Sequence, residues 1–250
     1  MAKAKTKQST PASVSKKLGG QLVLGALIAE LLGSAIVAFA ALMGGNSWIL
    51  VAFAVLVGVL IFGELSGGHL NPVVTVSLWA TKQIGWIKAL GYLVVQFIGA
   101  MLAYVVVAKF MKSSDPTAPS TMYTLFTNPN DQSAQSLQTA PRNPGEWKPI
   151  FGELAGAVIF GFGVASAFLG KKVGFERAFT IGGALMVGLV TALAGSYAVL
   201  NPAVAVSLSG FARGGFWSIA AYGLAPLVGG VAGAWLYKLL QRDVATAASK

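Results

Sequence analysis

Two Asn-Pro pairs, Asn71-Pro72 and Asn201-Pro202, sit inside strongly apolar stretches and are followed by nearly the same segment, NPVVTVSL and NPAVAVSL. Asn is a favoured helix N-cap and Pro the favoured first helical residue, so each pair predicts a helix that begins there. Aligned peptide dipoles place about half a positive elementary charge at such an N-terminus. The carboxamide oxygen of each Asn can cap its own helix, while the NH2 group can donate to a passing oxygen atom. Glu30 and Glu153 also lie in apolar segments, at matching positions. Their symmetric placement reads as acceptors for backbone N–H groups of the segments before the two Asn residues, rather than as a proton relay. His69 reads as a residue that holds the segment before Asn71 in shape. Cysteine is absent and histidine occurs once. Thiol catalysis, a Ser-His-Asp triad and a thiolate or imidazole metal cluster are thereby set aside, and no metal, cofactor or enzymatic activity is expected.

These groups need elements to hold them. Of 250 residues, 55% are hydrophobic and 10% charged, against about 25% charged in a soluble domain. The chain is therefore expected to be an all-α polytopic membrane protein. Residues 19–42, 48–65, 86–109, 150–169, 177–196 and 215–238 have the length and apolarity of spans. The half-length segments 71–80 and 201–210 would rise about 15 Å each, half the hydrocarbon core. A helix that starts at that depth is tolerated only where it lines a watery path or is buried in protein. The segments before the Asn residues, Ser66–Leu70 and Ser196–Leu200, are expected to be extended and to present carbonyl oxygens as a ladder of acceptors. Gly67 and Gly68 allow a close backbone approach there.

A shift of 130 residues superimposes Asn71, Pro72, Val74, Val76, Ser77, Leu78, Gly85, Tyr92 and Gly99 on Asn201, Pro202, Val204, Val206, Ser207, Leu208, Gly215, Tyr222 and Gly229. Three spans per copy force the second copy to insert upside down, which gives an inverted repeat with two re-entrant half-helices. The membrane unit covers 19–240, with halves at 19–110 and 150–240. A disordered basic tail (1–18) and a short tail (241–250) flank it, and the polar loop 112–149 divides it. The net charge of +10 is read as the positive-inside bias rather than as a nucleic-acid surface. Lys82, Lys88, Lys171, Lys172 and Arg177 join the basic termini on the cytoplasmic side, and the long loop and Arg213 lie outside. Gly33, Gly99, Gly156 and Gly229 read as points of close helix approach. Glu64 reads as a solvated residue near the inner mouth.

AELLG at Glu30, GELAG at Glu153, SGGHLNPVVT, the second NPA, Gln96–Gly99–Ala100 and Pro226–Gly229 together resemble the aquaporin and glycerol-facilitator family of major intrinsic proteins. The resemblance implies one pore per protomer in a homotetramer within the lipid bilayer, with the motifs Asn71, Pro72, Val73 and Asn201, Pro202, Ala203 meeting near the midplane. It also implies an outer selectivity constriction at Val51, Leu189, Ala198 and Val204. Val204 stands where family members usually carry an arginine, so all four ring positions are apolar. The first motif is NPV rather than NPA, which adds two carbons beside the pore. Ala205 and Tyr222-Gly223 are markers that point to different subclasses. The expected function is a passive channel that conducts water and excludes ions and protons. Alternatives are a wider facilitator for glycerol, urea, ammonia or gas and, in a different class, an ion-coupled secondary transporter. Localisation is expected in a cell membrane with both termini cytoplasmic. The absence of N-x-Ser/Thr sequons and the short termini point to a prokaryotic inner membrane.

Overall fold

A computed structural model describes residues 23–44, 47–111, 147–208 and 215–248. The expected tail 1–18, most of the loop 112–149 and Arg213 lie outside the described residues. The chain is all-α: among the described residues six helices are long and apolar enough to cross a membrane, and no strand occurs. In chain order the helices are α1 (Leu24–Met43), α2 (Trp48–Ser66), α3 (Pro72–Ala80), α4 (Trp86–Val106), α5 (Lys148–Leu169), α6 (Gly174–Ala192), α7 (Pro202–Ser207) and α8 (Gly215–Ala247). The short helices α3 and α7 rise about 14 Å and about 9 Å.

Several boundaries depart from the sequence reading: α1 starts at Leu24 rather than 19, α6 starts at Gly174 rather than 177, and α7 ends at Ser207 rather than 210. Helix α6 ends at Ala192, because the residues up to Leu200 form the loop that leads into α7. Helix α8 runs on to Ala247, through most of the segment 241–250 expected as a tail. A π-helical turn at Ala220–Leu224 interrupts α8 just before Pro226. Proline has no N–H to give the preceding turn, which removes one α-type hydrogen bond and lets that turn widen.

The repeat is visible in the packing. Helix α1 packs on α2 and α4, as α5 packs on α6 and α8. The halves are joined by α2 against α6, and each half-helix packs on the last span of the opposite half, α3 on α8 and α7 on α4. Glycines bring these helices together. A Cβ at Gly99 would collide with Leu31 O of α1, one at Gly229 with Leu154 O of α5, and one at Gly156 with Gly188 O of α6. At Gly33 the missing side chain makes room both for Leu70 of the loop before α3 and for Phe62 of α2, whose Cδ2 would lie 3.1 Å from a Cβ there. Large apolar residues such as Phe53, Ile98, Val187 and Val228 are exposed on the outer faces of the spans, the surface that lipid tails or neighbouring apolar protein would cover.

Candidate functional site

The loops that precede α3 and α7 are built on two buried carboxylates. Glu30 Oε1 accepts from Ser66 Oγ (2.6 Å) and His69 N (2.8 Å), and Oε2 accepts from Leu70 N (2.8 Å) and Gln96 Nε2 (2.8 Å). Glu153 repeats the pattern, with Oε1 accepting from Ser196 Oγ (2.7 Å) and Val199 N (2.9 Å), and Oε2 from Leu200 N (2.8 Å). In both halves the serine hydroxyl also accepts from the backbone two residues on, Gly68 N and Ala198 N, at 3.0 Å. Each carboxylate thus supplies the acceptors that a re-entrant backbone lacks at membrane depth.

Neither loop is simply extended. Gly67, Gly68, Leu70, Ala198 and Leu200 all have positive φ. These left-handed residues turn successive peptide groups so that two N–H groups point at one carboxylate. Gly68 is needed for a second reason: a Cβ there would lie 3.1 Å from Val59 Cα and 3.2 Å from Gly63 Cα of α2. The carbonyl ladder is also shorter than expected. Tyr92 Oη donates to Ser66 O (2.7 Å), and Asn71 Nδ2 donates to Leu200 O (3.0 Å), so both carbonyls are engaged inside the protein.

Asn71 and Asn201 are buried N-caps. Asn71 Oδ1 accepts from Val73 N (2.8 Å), and Asn201 Oδ1 accepts from Ala203 N (3.1 Å) and Val204 N (3.3 Å). The Asn71–Leu200 hydrogen bond joins residues 129 positions apart and ties the start of α3 to the last residue before Asn201. The N-termini of α3 and α7 therefore face each other, as the inverted repeat requires. The bond also corrects the expectation that both NH2 groups are wholly free, because one N–H of Asn71 is committed to the other half.

His69 is buried, with Nδ1 3.1 Å from Thr75 Oγ1, and it stands edge-on to Tyr92 and Phe168. Gln96 Nε2 reaches Thr75 Oγ1 as well as Glu30 (2.9 and 2.8 Å), which links loop, half-helix and span in one network. Ser66, Ser196, Tyr92, Gln96 and Thr75 thus support the site but escape a reading centred on the Asn-Pro pairs. Extending the 130-residue register five positions upstream pairs Ser66 with Ser196 and would have exposed those two.

Val51 at the start of α2, Leu189 near the end of α6, Ala198 in the second loop and Val204 in α7 are all at most 2% exposed and belong to one apolar cluster. Val73 packs against the last span. It is fully buried, and its Cγ1 faces Gly230 of α8 within clash distance of any Cβ built there. The extra Cγ1 of NPV therefore fills a slot between helices. Glu64 is exposed, in keeping with a solvated position. No group of three or more His, Cys, Asp or Glu suited to a metal ion occurs among the described residues.

Six spans, two half-helices capped by asparagine and an inverted repeat define a multi-pass membrane protein of the channel type. Comparison with known proteins gives the family: residues 17–237 match the model of the major intrinsic proteins, so the chain belongs to this family, whose members are channels and not enzymes. Among relatives, Nodulin-26 of Glycine max is 27% identical over 179 residues, 72% of this chain and 59% of that protein. The probable aquaporin AqpM of Archaeoglobus fulgidus is 28% identical over 216 residues, 81% of this chain and 80% of that protein. A glycerol uptake facilitator of Streptococcus pneumoniae is 38% identical over 92 residues, 34% of this chain and 39% of that protein. The aquaglyceroporin structure from Plasmodium falciparum has the same fold, with a TM-score of 0.53 at 19% identity, covering 84% of this chain and 92% of that one.

Proposed function

We propose that this channel conducts water by facilitated diffusion and excludes ions and protons. The observation that carries the reading is the pair of facing N-termini joined by Asn71 Nδ2 and Leu200 O. Two opposed positive dipole ends raise the energy of any cation between them. The remaining N–H of Asn71 and the NH2 of Asn201 are the donors that would orient a water molecule at that point. A water that accepts from both cannot simultaneously continue a proton wire. Glu30, Glu153 and His69 hold the loops that place these donors. The roles of Asn71, Pro72, Asn201, Pro202 and Ala203 at the midplane filter, with the Val73 side chain packed behind it against Gly230, and of Val51, Leu189, Ala198 and Val204 as the outer constriction, belong to this proposal.

A second reading, a wider facilitator for glycerol or other small neutral solutes, is favoured by the four apolar side chains of that ring. None of them donates a hydrogen bond or carries charge, so the ring offers neither the width limit nor the fixed positive charge of an arginine. The homotetrameric assembly, the cytoplasmic termini and a prokaryotic inner membrane are part of the same proposal. Stopped-flow light scattering of proteoliposomes is the test: osmotic shrinkage faster than in empty vesicles, with a low activation energy, is expected. Shrinkage no faster than in empty vesicles overturns the water reading, and glycerol uptake measured alongside decides between the two readings.

A further inference from the structure

The third residue of the first motif is tightly matched to a glycine of the last span. Helix α3 packs on α8, and a Cβ at Gly230 would meet Val73 Cγ1 within clash distance, with Ser77 Oγ at 2.9 Å and Val73 Cβ at 3.7 Å. Val73 directly follows Pro72, and its N–H caps onto Asn71 Oδ1. Any displacement of Val73 is therefore passed to the asparagine that faces Leu200. The other half solves the same contact differently. Helix α7 packs on α4, and the residues at the matching positions of the 130-residue repeat are Ala203 and Ala100, both buried. One half uses a large residue against none, and the other uses two small ones. Farther along α3 the same span makes another tie, as Lys238 Nζ donates to Thr81 O (3.0 Å) at the end of the half-helix.

We propose that Gly230 is a positioning residue of the channel: with Val73 it forms the seat that sets the depth of α3 and hence the place of the Asn71 donor. The proposal rests on the neutral-solute channel reading above. It also explains the NPV departure, since valine at this motif is complementary to Gly230 and does not narrow the path.

The test is a double-mutant cycle in proteoliposomes, with water and proton flux measured per inserted protein and the apparent unfolding temperature measured in parallel. Gly230→Ala pushes on Val73, and water flux is expected to fall about tenfold, a factor that corresponds to about 1.4 kcal/mol of added barrier. Proton leak relative to water flux should rise, a readout that a loss of stability alone does not move. Val73→Ala in the G230A background should restore both to within about twofold of wild type, because the new Cβ then meets Cβ of residue 73 at the ordinary contact distance of 3.7 Å, and the Ser77 hydroxyl at 2.9 Å, which has no hydrogen-bond partner among the described residues, can rotate away. If G230A fails to insert, insertion and flux of V73A/G230A support the seat, and failure of the double variant as well overturns it. Wild-type flux in G230A, or a loss that V73A leaves unchanged, also overturns it. A wild-type protein with no flux of water or glycerol refutes the channel reading instead. The recovery of unfolding temperature by V73A still reads the contact in that case, and its absence refutes the seat.

Discussion

Replacing Glu153 separates a loop-holding carboxylate from a proton carrier. Its Oε1 accepts two hydrogen bonds, from Ser196 Oγ and Val199 N, and Oε2 accepts one, from Leu200 N, with Val199 and Leu200 at most 1% exposed. Alanine orphans both backbone N–H groups, and at roughly 1–3 kcal/mol for each buried unsatisfied donor the loss is about 2–6 kcal/mol. Glutamine keeps one acceptor oxygen. In the better amide orientation that oxygen occupies the Oε1 position and retains two bonds, while its NH2 faces the Leu200 N–H, so the loss is about 1–3 kcal/mol. At about 2–4 °C per kcal/mol for a chain of this size, Glu153→Gln should lower the apparent unfolding temperature by several degrees and Glu153→Ala by about twice that. Leu200 carries the carbonyl that holds Asn71. Water flux should therefore fall in the same order, wild type above Gln above Ala. Tryptophan fluorescence during heating and stopped-flow scattering on the same preparations measure both. A glutamine variant with wild-type stability but abolished flux would refute the loop-holding role and point to a titrating carboxylate, as an ion-coupled transporter requires.

Other changes have equally direct outcomes. Val204→Arg introduces a charged donor at the fully buried start of α7 and should cut glycerol uptake several-fold more than water flow. Equal loss of both would argue that Val204 is not in the constriction. Gly68→Ala combines a φ of +66° with contacts of 3.1 and 3.2 Å to backbone of α2. It should destabilise by about 2–4 kcal/mol, from left-handed strain of about 1–2 plus overpacking of a similar size. Unchanged unfolding temperature in the same heating assay would contradict that geometry.

The order of elements was legible because its signals are local. Asn-Pro writes a helix start within three residues, since the cap, the missing N–H and the fixed φ all belong to neighbours in the chain. The apolar lengths placed six spans, and the odd number per repeat implied the inversion. Glu30 and Glu153 stood out because a carboxylate in an apolar span demands partners. The boundaries of α6 and α8 were less legible, because an apolar loop such as Leu193–Leu200 has the composition of the span before it. Its loop character comes from Glu153, 43 to 47 residues away, which offers an alternative to helical hydrogen bonding.

What the sequence by itself determined, then, is a membrane chain with two capped half-helices in inverted repeat, because capping, apolar span length and repeat parity depend on residue type and spacing alone. Tertiary structure decided which donors and acceptors remain for a solute. Asn71 gives one hydrogen to Leu200 O, Tyr92 takes Ser66 O, and Val73 turns into the slot at Gly230. Each of these is a pairing between segments brought together only in the packed fold: the two loops, α4 with the end of α2, and α3 with α8. Residue type states what a side chain can bond or fill, but the packing of the spans determines which partner it reaches first.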